Sequence, residues 1–471
     1  MPPCATRWEP WQQTVADGRE ASGPLCLFNA SGSEAVIISP LTKVMTLSPW
    51  HRHWPSTGTG TDGQSYWGID RDIETLPPGY KAEVILVYSP YGVGQVFEDW
   101  GDAMRRYSGQ GAPASHWSSG LDKVGYWTGP GLAFINFNWL KPEKKETSDE
   151  LSAVKVHNWW YESEANRTEA IVTWAANNNS LPDGLGNFEQ PLVVVCSAWS
   201  SNTTYAEQNN GSYSFLVDGD YSLPTEQYGG VSDFQKQAEL ASEWLTNVSQ
   251  AAVQAGVTLT LSQALPSMLL AAAQLPAVTQ VRVSERYSTI DSHQQWDIGL
   301  ASLLPAALRI APFKDTFWSQ SKEPGYPHPG SEERNPILQA LVATLSTGLV
   351  AVGDSADAIK SSLLAWCCRS DGVVLRPSTP AVAIDDHIVK SALDASSGSA
   401  ATRHVWKSLS TISVAGNQTG VYHQGIIVAV NTSGGYKVTP EMIFPRLFKT
   451  DVSDFLSNTE PEESEAVECG Q

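Results

Sequence analysis

Apolar residues recur along this chain in two different rhythms. Up to residue 115 they come in short runs, Ala35–Ser39, Lys43–Leu47 and Ala82–Tyr88, broken by turn-forming clusters at Ser56–Gly63 and Pro77–Gly79. Short alternating runs punctuated by Gly, Pro and Ser predict strands, so residues 1–115 read as a β-sandwich. Phe97, Trp100, Met104 and Tyr107 then fall at helical spacing and predict an amphipathic helix over Val96–Tyr107.

From residue 116 to 360 the period changes, and buried-type runs alternate with helical stretches. Strands are predicted at Lys123–Trp127, Val154–Tyr161, Pro191–Trp199, Val257–Leu261, Val278–Val283, Ile310–Phe317 and Leu349–Gly353. Helices are predicted at Asp233–Ala255, Trp296–Ile310 and Asn335–Gly348, the last with Asn335 as N-cap, Pro336 in the first turn and Gly348 past the end. Strand followed by helix, repeated, predicts a parallel sheet closed as a (β/α)8 barrel. The fourth position is irregular. Ser214–Val217 before Asp218 fits a strand, but the Ser/Asn/Gly-rich connector at Ser200–Gly211 offers no crossover helix. Beyond 360, short β runs at Val373–Arg376, Ala381–Ile384, His404–Leu409 and Gly425–Val430 predict a C-terminal β domain over 361–450. Residues 451–471 read as an acidic tail without structure.

Ligands of parallel α/β sheets bind beyond the carboxyl ends of the strands. Here those ends carry aromatic, charged and amide residues: Trp127, Asn158, Trp159, Trp160, Trp199, Arg282, Asp315, Trp318 and Asp354. The stretch Val281-Arg282-Val283-Ser284-Glu285-Arg286-Tyr287, with the helix after it and Asp315-x-x-Trp318, resembles the sixth and seventh strands of raffinose synthases and related α-galactosidases. That resemblance implies a barrel that hydrolyses or transfers α-galactosyl groups by double displacement, with no metal and no cofactor. It also implies a nucleophilic carboxylate on the fourth strand and an acid/base four residues after the strand-six Arg.

Two positions depart from the family pattern. The acid/base position is Arg286, whose guanidinium stays protonated and cannot cycle a proton. The Asp that precedes the family's second-strand Trp is replaced in the run His157-Asn158-Trp159-Trp160. Glu285 is the replacement proton donor on offer, although alternation along a regular strand aims it away from where Arg286 points. Asp218 is the substitute nucleophile on offer. Two readings follow: a glycoside hydrolase acting on or binding α-galactosyl-type carbohydrates, or an inactive relative that binds carbohydrate only.

Composition narrows the partners. Of 471 residues, 41% are hydrophobic and 17% charged, which fits a globular chain with sizeable cores, and 18 are Trp, a supply of sugar-stacking rings as well as core residues. A formal charge of −20 argues against nucleic acid and anionic membrane as partners. No run of about 18 apolar residues reads as a membrane span. The opening, MPPCATRWEPW, lacks the basic and apolar regions of a signal peptide, so a cytoplasmic protein is expected, or a secreted one if the true start lies upstream. Eight sequons, from Asn29 to Asn431, are the counter-signal for secretion. The six cysteines show no metal-ligand spacing.

Overall fold

The computed structural model describes residues 23–52, 64–69, 76–109, 122–126, 199–200, 207, 210, 215–218, 221–224, 234–255, 258–262, 264–284, 298–321, 332–354, 359–395, 404–414, 420–430 and 437–446. The strand expected at Val154–Tyr161, most of that at Pro191–Trp199 and the tail at 451–471 lie outside the described residues.

The chain opens with strands β1 (Leu25–Phe28), β2 (Ala35–Pro40), β3 (Leu47–Arg52), β4 (Gln64–Ile69) and β5 (Val84–Ser89), followed by helix α1 (Val93–Tyr107). β1, β2 and β5 form an antiparallel sheet in that order, and β3 with β4 forms a separate antiparallel pair. Ala35, Ile37 and Ser39 alternate inward along β2, as period-two patterning requires. The turn Lys43–Thr46 takes the place of a predicted strand, because Lys43 adopts a positive φ and its carbonyl accepts Thr46 N–H at 2.9 Å. α1 starts three residues earlier than its apolar spacing suggests. Gly92 at φ 105° turns the chain into it, and Gly94 N–H donates to the Asp385 carboxylate at 2.8 Å. A cap from 291 residues away cannot be read from local pattern.

The middle of the chain holds β6 (Gly125–Tyr126), β7 (Trp199–Ser200), β8 (Phe215–Asp218), β9 (Tyr221–Pro224), α2 (Phe234–Ala255), β10 (Leu259–Ser262), α3 (Pro266–Ala272) and β11 (Val278–Arg282). There follow α4 (Ile298–Ala301), α5 (Leu303–Ala307), β12 (Ala311–Phe313), α6 (Pro336–Leu345), β13 (Ala351–Val352) and α7 (Ser361–Leu364). β10, β11 and β12 pair in parallel in chain order. Phe317 then bridges Val352 in parallel, and β13 pairs in parallel with β6. The last of these strands therefore lies beside the first.

Four expectations shift here. The helix predicted over Trp296–Ile310 is two short ones, because Pro305 has no N–H to donate to the Ala301 carbonyl. The strand predicted over Ile310–Phe317 breaks after Phe313, where Asp315 N–H turns to Ser284 Oγ and its carboxylate accepts the next backbone N–H. α6 ends at Leu345 rather than running to Gly348. Thr344 and Ser346 hydroxyls bond back to the Ala340 and Ala343 carbonyls, and Thr347 takes the left-handed turn at φ 70°. Gly348 is instead a contact glycine, since a Cβ there would lie 2.5 Å from the Phe313 Cβ. Finally, at the irregular fourth position, where Ser214–Val217 fits a strand without a crossover helix before it, β8 and β9 form an antiparallel hairpin and β7 pairs antiparallel with β9. β8 and β9 are close in sequence with no helix between them, so antiparallel return is the geometry open to them.

β14 (Thr379–Ala383), α8 (Asp385–Ala395), β15 (His404–Val414), β16 (Gly420–Val430) and α9 (Pro440–Ile443) complete the chain. β14, β15 and β16 form an antiparallel sheet in that order. One hydrophobic cluster draws on all three stretches, with Ile37 and Trp100 from the first, Leu270, Val281 and Leu308 from the second, and Ala383 and Trp406 from the third. A second cluster, around Phe317, Trp318, Val352 and Val374, lies beneath α6 and α7. Among the described residues no helix is long and apolar enough to cross a membrane.

Candidate ligand-binding site at the strand ends

Three neighbouring parallel segments deliver polar side chains at their carboxyl ends. β11 ends in Arg282 and leads to Ser284, β12 leads to Lys314 and Asp315, and β13 leads to Asp354. The Arg282 guanidinium lies 3.4 Å from the Asp315 carboxylate, with the two side chains 15% and 2% exposed. Asp315 is held further by its backbone, whose N–H donates to Ser284 Oγ at 2.7 Å, while its Oδ1 accepts the Thr316 N–H at 2.9 Å. Thr316 Oγ1 donates to the Ala351 carbonyl at 3.1 Å and so ties this turn to β13.

Asp354 takes a similar supporting place. Both of its oxygens accept the Ser319 N–H, at 2.9 and 2.8 Å, and Ser319 Oγ accepts the Lys360 N–H at 2.8 Å. Lys314 is buried and donates to the Asp315 and Thr316 carbonyls at 2.9 and 3.1 Å. Burial pushes its ammonium down to about 8, against the opposing pull of Asp315 and Glu333. Glu333 accepts the Asn335 N–H at 2.8 Å and the Gln339 amide N–H at 3.0 Å, which fixes the start of α6. Neither Glu333 nor Gln339 is singled out by sequence pattern, since both lie where a helix start alone is legible.

Polar capacity is left over on β11. Neither end of the Gln280 amide has a hydrogen-bond partner among the described residues, although the side chain is fully buried. Arg282 Nε is in the same condition. Residues two apart on a strand share a face, so Gln280 lies on the face from which Arg282 reaches Asp315. Between them the amide and the guanidinium carry both donors and an acceptor, the groups a hydroxyl-bearing ligand pairs with. Arg282 keeps 15% of its side chain exposed, while Gln280 is 0% exposed and meets a ligand only if its cover opens.

Of the site residues predicted from sequence, the structure brings Arg282, Asp315 and Asp354 to this one end of the parallel strands. Trp318 is beside them in sequence but is a core residue, 2% exposed and packed in the second hydrophobic cluster, so it offers no stacking face. Asp218 ends β8 opposite Tyr221, and Trp199 sits in β7 opposite Ser222, both in the antiparallel sheet. Trp127, Asn158, Trp159, Trp160 and Glu285 lie outside the described residues, as do His157 and Arg286. Among the described residues no three His, Cys, Asp or Glu side chains converge as a metal site. In comparisons with known proteins, the chain matches no family model and no curated sequence.

Proposed function

We propose that this protein binds α-galactosyl-type carbohydrates on a (β/α)8-type barrel similar to that of raffinose synthases and α-galactosidases, and that it hydrolyses them poorly or not at all. The barrel would be flanked by an N-terminal β-sandwich and a C-terminal β domain. Two small parallel sheets, β10-β11-β12 and β13-β6, joined by the single bridge Phe317–Val352, support the barrel reading in so far as a closed barrel also sets its last strand beside its first.

The observation that carries the binding reading is that the Gln280 amide and Arg282 Nε, on the strand face shared with Asp315, have no hydrogen-bond partner among the described residues. Buried polar groups without partners are costly, and a ligand that pairs with them removes that cost. Sugar hydroxyls both donate and accept, and match that capacity. The inactive side of the reading rests on the carboxylates. Double displacement needs two carboxyl groups about 5–5.5 Å apart. Asp315 and Asp354 each accept backbone N–H bonds that hold turns of the fold, and Asp315 is also paired with Arg282. Such groups orient and brace rather than attack. Glu285 and Asp218 remain as the acid/base and nucleophile of an active version.

Calorimetric titration of the purified chain with raffinose, galactose and glucose tests the binding reading. Saturable binding of raffinose and galactose, weaker for glucose, is the expected result. Absence of saturable binding for every α-galactoside tried would overturn it.

A further inference from the structure

We propose that β16 is a self-association edge, along which a second copy of this chain adds its own β16 in antiparallel register. The two outer strands of the C-terminal sheet are β14 and β16, and they are built very differently. β14 is five residues long, contains Pro380 and pairs irregularly between Thr379 and Val382. Shortness, proline and irregular pairing are the devices by which edge strands avoid further pairing.

β16 has none of them. It runs eleven residues, GVYHQGIIVAV, with no Lys, Arg, Asp, Glu or Pro. Its register with β15 is unbroken from Val414↔Gly420 to His404↔Val430. Among the described residues its other edge pairs with no strand. A long, regular, uncharged edge is a template for another strand.

The occupant follows from the sequence of the strand itself. Antiparallel pairing centred on Gly425 aligns all eleven residues of each copy. It sets Val421 against Ala429 of the second copy, Tyr422 against Val428, His423 against Ile427 and Gln424 against Ile426. An aromatic against a β-branched residue is a favourable cross-strand pair, and no like charges meet anywhere along the ladder. The distal half of β16 exposes Val421 by 61% and Tyr422 by 52%, and this register sets a cross-strand neighbour beside each. A two-fold, isologous contact is also the commonest way for a chain to pair with itself. The proposal does not depend on carbohydrate binding.

Light scattering on the full chain at about 100 μM, where even a modest affinity populates a dimer, reads the outcome. The expected mass is twice 51.0 kDa. The variant V421K/Y422K should be monomeric with an unchanged circular dichroism spectrum. The variant V421C/A429C keeps the test readable if the lysines disturb the hairpin. The two positions lie about 26 Å apart within one strand, too far for a bond in one chain. They lie opposite each other between copies, so mild oxidation should give a covalent dimer with the double variant and not with either single one. A monomeric parent, a dimer indifferent to the lysines, assembly beyond a dimer, or no cross-link from the double variant would each overturn the proposal.

Discussion

Arg282 on β11 and Asp315 after β12 form an ion pair at 3.4 Å with both side chains largely withdrawn from water. Removing one partner strands the other, and breaking a buried pair typically costs about 3–5 kcal/mol. D315N should therefore lower the urea midpoint sharply. R282M/D315L, which removes both charges, should lose much less than the sum of the two single variants. Equal and additive losses in a double-mutant cycle would show that the pair is not coupled.

Gln280, two residues before Arg282, gives a prediction of opposite sign for stability and binding. Q280L removes an amide with no partner among the described residues from a fully buried position. The relief of an unsatisfied buried group is worth about 1–3 kcal/mol. Melting temperature should rise while affinity for α-galactosides falls about tenfold. A variant that binds as well as the parent would remove Gln280 from the site.

Gly101 reverses a common rule. Alanine in place of glycine within a helix usually stabilises by about 1 kcal/mol. At this position in α1, a Cβ would lie 2.0 Å from the Ala307 carbonyl oxygen, so α1 and α5 would have to separate. Overpacking costs about 1–3 kcal/mol and should win. Thermal unfolding of G101A should come at a lower temperature than that of the parent, and a rise would contradict the packing described.

His387 on α8 makes the fold sensitive to acid. Its ring meets the His404 ring edge-on, with centroids 5.4 Å apart. Burial first, and His404 second, push it down to about 4 from its ordinary 6.5, while Asp386 and a bond with the Val405 backbone oppose the shift. The folded state then binds fewer protons than the unfolded state between pH 6.5 and 4. This contribution is complete above pH 6.5 and is lost as pH falls toward 4, by up to about 3 kcal/mol. Urea unfolding across that range should show the loss, and H387F should flatten it. A parent curve already flat from pH 6.5 to 4 would contradict the assignment.

The sequence shows its regular segments well and its long-range ties poorly. The alternation of Ala35, Ile37 and Ser39, the run Val278–Arg282 and the apolar stretch at Pro336–Leu345 each carry their own period, and each is found close to where that period places it. The departures come where distant residues intervene. Asp385 caps α1 from across the chain, and Ser284 takes the backbone N–H that would have extended β12; Pro305 is the local exception, cutting a helix that its apolar neighbours favour. At the strand ends, Arg282, Asp315 and Asp354 were legible because charge at the end of an apolar run stands out. Gln280 was not, because a single amide inside a strand looks like an outward-facing residue until its burial is known. Trp318 misled in the other direction: its place after a strand suggested a stacking ring, and packing against Phe317 and its neighbours decided otherwise.

Carbohydrate binding without efficient hydrolysis is proposed for this chain, and steady-state turnover of a 4-nitrophenyl α-galactoside decides between that and a working glycosidase. The purified chain and its E285Q variant would be assayed side by side, with raffinose binding measured on the same samples. Proton transfer by a positioned acid typically contributes roughly 10²–10⁴-fold, and the guanidinium of Arg286, which stays protonated, cannot supply it. Raffinose binding should be retained with turnover well below about 1 s⁻¹, the low end of ordinary enzyme rates, and with no difference between the two proteins. Turnover at or above about 1 s⁻¹ that disappears in E285Q would contradict it and would make this chain a working glycosidase with Glu285 as its acid/base.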